Sequence, residues 1–426
     1  MKSISKKLSA LVLMSTMLFS LAGCKDVSKL EEGESNESVS SSEEMKPEDG
    51  AELLFWTNDI EYGKDVASSF ETKYGVKVNV EQIGLDGMGK IMLDGPAGKG
   101  ADIFIAPHDA MNTGRTAGIF AELDESIVKD LEKELNPVAV KAAMYDGKMY
   151  GVPYSVETTA LLYNKDLVKG EPVKEFEQIV KEAKEFNNSS ENKFWFLTIA
   201  NNGYNAYPFL GADGFQLFGN DGNDDDNPGF NTKAFENGLA NVAALKEIIP
   251  MKSEDLKTNA ETFIDENFIN GKTAYYPSGP WAIKKMKDAG VNFGVTTLPT
   301  INGKSMKAFG GVQNAHVSAY SKYPKAAQLF AKFLASKEGA EILYSKASKV
   351  TSRADISDVK GLAEDKDLSV FVEQFKNAVP MPASKRISYY WTISDGLLSA
   401  VFDGALTPED GAKKAQADFE ALVQSE

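Results

Sequence analysis

Aromatic rings stand beside carboxylates and amides at several points where the sequence predicts that strands give way to loops. Trp56 is followed by Asn58 and Asp59, and His108 stands beside Asp109. Glu157 is the lone acid inside the apolar stretch "GVPYSVETTALLY", residues 151–163. Tyr204 and Tyr207 share a polar turn, Trp281 follows Ser-Gly-Pro, and Trp391 ends the run Tyr389-Tyr390-Trp391. Of the four tryptophans only Trp195, in "KFWFLTIA", lies within an apolar run and reads as core. A ring offers an apolar platform, while Asp, Glu and Asn offer directed acceptors and donors. Carboxylates make charge-assisted hydrogen bonds, stronger than neutral ones. A carbohydrate, with C–H faces and many hydroxyls, uses both. Any one of these tryptophans is as consistent with a core as with a site; the set, joined to acidic neighbours, carries the reading.

Other chemistries find less support. Two carboxylates can hydrolyse a glycosidic bond, so Asp109 and Glu157 as acid and base form the competing reading, although no spacing singles out a pair. With two histidines and one cysteine, a nitrogen–sulfur zinc site is not expected. No G-x-S-x-G elbow occurs. "NGKS" at 302–305 lacks the phosphate-loop glycine, position 298 being Leu298, and reads as a turn. "DGNDDDNPGF" at 221–230 imitates a calcium loop, but Asp226 and Thr232 stand where glycine and glutamate belong, so a solvated hairpin tip is expected. No metal, cofactor or catalytic residue is assigned.

The elements that must position these residues begin with "AELLFW" at 51–56, a short strand. A helical face of Val66, Phe70 and Tyr74 follows, then the alternating strand "GVKVNVEQI" and the buried strand "ADIFIAP" at 101–107. Such alternation predicts an α/β fold with a mostly parallel sheet. Further on, Phe235, Leu239, Val242, Leu245 and Ile249 predict an amphipathic helix. "TAYYPSGPW" reads as a strand ending in a Gly-Pro turn, "VNFGVTTLP" as a strand and "KAAQLFAKFLAS" as a helix. Thr407-Pro408-Glu409-Asp410 has the signature of a helix start.

The N-terminal segment has a different character. Lys2, Lys6 and Lys7 precede an apolar run to Ala22, and Ala22-Gly23-Cys24 resembles a bacterial lipobox, predicting a signal peptide over 1–23 and lipid on Cys24. One such anchor holds a domain at a membrane surface without spanning it. Residues 24–50, rich in Ser, Glu and Gly, are expected to be a disordered acidic tether. Removing 1–23 takes away three lysines and no acid, so the formal charge of −16 becomes −19. That charge argues against nucleic acid as a partner.

Several of these segments occur together, in order, in one known family. "FWTND" at 55–59, "ADIFIAPHDA" at 101–110, "GKMYGVPYSVETTALLYNKDLV" at 147–168, "SGPWAI" at 278–283 and "MPASKRISYYW" at 381–391 make the chain resemble maltose/maltodextrin-binding proteins, the extracellular solute receptors of ABC sugar importers. The resemblance covers 51–426. It implies an α/β, two-lobed periplasmic-binding-protein-like fold, each lobe a mixed sheet flanked by helices. The first lobe would be 51–155 with 315–350 and the second 160–310 with 355–426, joined by crossings near 155–160, 310–315 and 350–355. Trp56, Asn58, Asp59 and Asp109 would then face the cleft from the first lobe, Glu157 from the first crossing, and Tyr204, Trp281 and Trp391 from the second lobe. Departures from the family pattern at Ala106, Ala110, Asn202, Thr392 and Asp395 imply a roomier cleft, suited to longer or cyclic α-glucans. Implied partners are a maltodextrin-like oligosaccharide, a permease with a separate ATPase, and the membrane through Cys24. The same resemblance implies a monomer on the extracellular face of a Gram-positive-type membrane; another oligosaccharide remains an alternative cargo.

Overall fold

The computed structural model describes residues 45–426, apart from 85, 86, 220, 221, 223, 258 and 383. The expected signal peptide, Cys24 and the tether as far as residue 44 lie outside the described residues.

Two sheets organise the chain. The larger runs in the order Val350–Thr351, Val152–Thr158, Phe309–Val317, Ile103–Pro107, Glu52–Thr57, Lys77–Gln82, with Val379–Pro380 beside the start of Phe309–Val317. The smaller runs Phe293–Thr296, Ala160–Asn164, Thr273–Ser278, Phe194–Phe196. Parallel pairing holds for Glu52–Thr57 with both of its neighbours. The long strand Phe309–Val317, however, arrives from the smaller sheet and runs antiparallel to Ile103–Pro107 and to Val152–Thr158. The larger sheet is therefore mixed, not mostly parallel, because no helical crossover sets that strand's direction.

Each sheet is covered by helices whose apolar faces follow from sequence spacing. Ile60–Tyr74 buries Tyr62, Val66 and Phe70 against the larger sheet. On the smaller lobe Lys233–Ala244 buries Phe235, Leu239 and Val242, and the chain tightens into a 3₁₀ turn over Leu245–Glu247. Two C-terminal helices, Ile387–Phe402 and Pro408–Gln424, pack on it. The second starts as the sequence predicts, with the Thr407 hydroxyl accepting from the Asp410 N–H at 3.1 Å. "NGKS" forms the turn of a hairpin between Thr300–Ile301 and Lys304–Ser305, with Asn302 and Gly303 both at positive φ.

Two local expectations need correction. Residues 45–50, assigned to the tether, are held on the larger lobe: Met45 packs on its core, and the Glu48 carboxylate accepts from the Lys325 and Ala326 N–H groups at 2.9 Å each. Those amides begin the helix Pro324–Leu334 and have no partner within it, so an anion there is favoured. The acidic segment after Gly222 is likewise more than a solvated tip. Asp225 accepts from Ser384 and Lys385, and Asp226 pairs with Arg386 at 2.6 Å, fixing the turn that precedes Ile387–Phe402. Among the described residues no cluster of side chains suited to holding a metal occurs.

Thr159 alone separates Val152–Thr158, in the larger sheet, from Ala160–Asn164, in the smaller. Hydroxyls stitch the neighbouring segments at this passage. Ser155 donates to Val350 O at 2.9 Å, Ser352 to Pro153 O at 2.7 Å and Thr158 to Phe309 O at 2.9 Å. Each contributes on the order of 1 kcal/mol net.

His316 lies fully buried in Phe309–Val317, stacked 3.8 Å from the Phe120 ring, with Nδ1–H donating to Tyr150 O at 2.8 Å. Burial lowers its pKa from 6.5 to about 4. The unfolded chain therefore binds this proton more readily, and stability is lost as pH falls from about 6.5 to about 4, by roughly 3 kcal/mol at most. We expect denaturant unfolding at pH 7 and pH 4.5 to show this loss in the native protein, and His316→Phe to reduce the difference by about 2 kcal/mol. An unchanged difference would remove His316 as its source.

Candidate functional site

The carboxyl ends of strands from both sheets meet at one cleft, the place where open α/β sheets bind ligands. Its volume is about 600 Å³, within the range of small-molecule sites. From the larger lobe come Asn58, just past Glu52–Thr57, and Asp109, just past Ile103–Pro107. Glu157 and Gln313 come from the two strands nearest the passage. From the smaller lobe come Tyr204, Trp281 and Trp391, with Thr198 following Phe194–Phe196 and Tyr276 and Ser278 ending Thr273–Ser278.

The rings form one wall. Tyr204 and Trp281 are tilted to each other at 6.4 Å, and Phe309 lies beneath both Tyr204 and Trp391, at 6.1 and 6.2 Å. Trp281 is placed by its own turn. A Cβ on Gly279 would fall 2.0 Å from the indole, so only glycine allows the ring to fold back over the chain. The indole N–H then donates to Glu261 at 3.2 Å. Tyr207 and Tyr390 support this wall without entering the cleft: Tyr207 stacks on Phe309 at 3.6 Å, and the Tyr390 hydroxyl donates to Gly203 O at 2.7 Å.

Polar atoms form the opposite wall. Glu157 is half-buried, and Oε1 accepts from Gln313 Nε2 at 2.8 Å. Its side chain lies so close to Gly311 that a Cβ there would be 2.9 Å from Glu157 Cγ. Burial raises the Asp109 carboxyl above the ordinary aspartate value, opposed by the neighbouring His108 ring and the Trp391 indole across the cleft. Behind it, His108 Nδ1 accepts from Val312 N–H at 3.1 Å, which leaves the proton on Nε2 to donate to Met381 O at 3.2 Å. Asn58 Oδ1, Asp109 Oδ1, Thr198 Oγ1, Tyr204 OH and Gln313 Oε1 are buried atoms with no partner among the described residues. Five such atoms around one cavity are what a ligand with many hydroxyls would satisfy.

Six of the eight residues expected in the cleft therefore line it: Asn58, Asp109, Glu157, Tyr204, Trp281 and Trp391. Trp56 does not. It is 2 % exposed, with its N–H donating to Glu81 at 2.8 Å and its ring packed with Ile91 and Phe104. Alternation puts its side chain on the face of the sheet opposite Phe55, where Ile91 and Lys90 of the helix Gly87–Asp94 cover it. Asp59 lies in an adjoining recess and pairs with Lys349 at 2.6 Å; it is Lys349 that lines the cleft. Ala106 is a buried sheet residue, and Asn202 organises the 202–205 turn by accepting from Tyr204 N–H and Asn205 N–H at 3.0 Å each. Gln313, Lys349, Thr198 and Ser278 were not anticipated. Gln313 and Lys349 lie at or beside the expected second and third crossings, which was the signal available for them.

Comparisons with known proteins agree with this architecture. The family described as bacterial extracellular solute-binding protein matches residues 65–370. A galactooligosaccharide-binding protein of Bacillus subtilis (strain 168) is 29 % identical over 420 residues, covering 96 % of each chain. A maltooligosaccharide ABC transporter solute-binding lipoprotein of Streptococcus pneumoniae (strain ATCC BAA-255 / R6) is 31 % identical over 371 residues, covering 85 % of each. The crystal structure of a cyclo/maltodextrin-binding protein complexed with maltotetraose superposes with a TM-score of 0.76 at 31 % identity, covering 88 % of this chain and 97 % of that one. The chain belongs to the bacterial extracellular solute-binding proteins.

Proposed function

We propose that this protein captures an α-linked gluco-oligosaccharide of the maltodextrin kind and delivers it to the permease of an ABC importer, held at the extracellular face of the cell membrane by lipid on Cys24. The observation that carries the reading is the pairing of a three-ring wall, Tyr204, Trp281 and Trp391, with unpartnered acceptors on the facing lobe. Sugar faces stack on the rings, while Asp109 and Glu157 orient hydroxyls. A ligand touching both walls binds the closed arrangement better than an open one and so favours it. The acids act as acceptors in this reading, without hydrolysis. The relative matched over 96 % of both chains is a galactooligosaccharide-binding protein, which makes that sugar class the second reading.

Tryptophan fluorescence titrated with maltotetraose, α-cyclodextrin and a galactotetraose, followed by product analysis, tests both. Saturation by the gluco-oligosaccharides at micromolar concentration, about −8 kcal/mol, with sugar recovered intact, is the expected result. Saturation by the galactose series alone would transfer the assignment, and shortened products would replace the receptor by an enzyme. Trp281→Ala should weaken binding at least tenfold, and Gly279→Ala should do so comparably by displacing the same ring; native affinity in both would take Trp281 out of the site.

Asp109 gives a two-sided expectation. Its raised carboxyl pKa means that charge is disfavoured in the folded state, so this group's destabilising contribution is relieved as pH falls through the folded value. Asp109→Asn should therefore weaken sugar binding about tenfold while leaving the melting temperature of the sugar-free protein equal or higher. A lower melting temperature would show the carboxylate to be structural.

A further inference from the structure

The strands that present Glu157 and Gln313 to the cleft have a second face. In Val152–Thr158 and Phe309–Val317, Val156 pairs with Val312 and Thr158 with Gly310, while Glu157 pairs with Gly311 and Ser155 with Gln313. Side chains alternate across a strand, so Val156 and Gly310 point away from the cleft that Glu157 and Gln313 line. On that far side lies a second cavity of about 360 Å³. Val156, Gly310 and Val350 form its floor. Val372 and Phe375, from the helix Lys366–Lys376, form one wall, and Val138, from the helix Pro137–Ala142, lies on another. One layer of backbone separates the two cavities.

The lining is mostly apolar, with Asn136, Thr351, Arg353 and Lys376 as its polar members. Arg353 and Lys376 line the cavity and no carboxylate does, in a chain whose formal charge is −16. The Arg353 side chain is 9 % exposed. Its Nη1 donates to Glu134 at 2.9 Å and to Ala335 O at 3.3 Å and its Nη2 to Asp358 at 3.0 Å, while Nε is buried without a partner among the described residues. A buried N–H with no acceptor is costly, and an apolar chamber with such a donor suits an apolar body carrying one acceptor group. Lys376, whose ammonium is 2.9 Å from Glu373, adds a cation at the rim.

We propose that this cavity is a second binding site, for a small aliphatic carboxylate, and that its occupation is coupled to the cleft. The acyl chain lies along Val156, Val350 and Phe375, and the carboxylate accepts from Arg353 Nε. Its walls come from helices on both sides of the passage, so its volume depends on how the lobes are set. An occupant that fits the setting seen here, in which Asp109 and Trp391 line one cleft, stabilises the arrangement that holds sugar. The coupling, though not the site, rests on the function proposed above. Coupling of this kind is reciprocal: each ligand tightens the other by the same factor.

The test is calorimetric titration of the full chain with octanoate and with 1-octanol, then with maltotetraose in the presence and absence of saturating octanoate. Expected are saturable octanoate binding, at least fivefold weaker binding of octanol, and a severalfold gain in maltotetraose affinity with octanoate bound. Ala378→Phe, which fills the cavity from its wall, should abolish octanoate binding while sugar still binds, with thermal melting confirming the fold. Arg353→Lys should bring octanoate down to the affinity of octanol. No saturable binding, or octanoate binding untouched by Ala378→Phe, would overturn the site. Equal affinity for octanol would overturn the carboxylate assignment, and unchanged sugar affinity would overturn the coupling. Should maltotetraose not bind at all, the octanoate arms still decide the site, so the two readings fail separately.

Discussion

A strand has two faces and no more, and around Thr159 both are in use. Val152–Thr158 belongs to one sheet and Ala160–Asn164 to the other, with one residue between them. There is no length of chain here in which slack can collect, and the segments that enter the passage are tied to one another by the hydroxyl bonds of Ser155, Thr158 and Ser352. Alternation along the strand then sends Glu157 into the cleft and Val156 behind it. The placing of Glu157 in the cleft and of Val156 at the second cavity both follow from this single constraint.

The cleft shows how binding is set against stability. Its polar wall holds several buried atoms without partners and a carboxylate whose charge is disfavoured by burial. A chain optimised only for folding would pair or replace such groups. The surroundings offset the cost by fixing everything nearby: His108 is held in one tautomer between Val312 and Met381, Glu157 is held by Gln313, and Trp281 is seated on Gly279. The site is thus organised before ligand arrives, which reduces the ordering entropy that binding must supply.

Where the sequence reading went astray, the causes are specific. Trp56 has the residue type and neighbours of a sugar platform, but its side chain falls on the sheet face that the helix Gly87–Asp94 covers, packed with Ile91 and Phe104. Asp59 stands next to a lining residue, yet its carboxylate is engaged by Lys349, 290 positions away in sequence. The mixed larger sheet escaped the alternation rule because Phe309–Val317 enters from the other lobe. Each miss concerns a partner distant in the chain, which no local pattern records.

Local chemistry, by contrast, was decided by sequence alone. The spacing of Val66, Phe70 and Tyr74, the Thr407-Pro408 helix start, the Asn302-Gly303 turn and the α/β character follow from side-chain sterics and hydrogen bonding over a few residues. Ring-and-carboxylate composition suggested a carbohydrate, the ligand proposed above, and six residues that line the cleft were legible from their type and polar neighbours. Only the tertiary structure decided that Gln313, Lys349 and Thr198 join them, that Trp56 does not, and that a second cavity lies behind Val156. Those outcomes depend on which segments the chain's passages bring face to face, a non-local property set by the packing of two cores and not by any window of sequence.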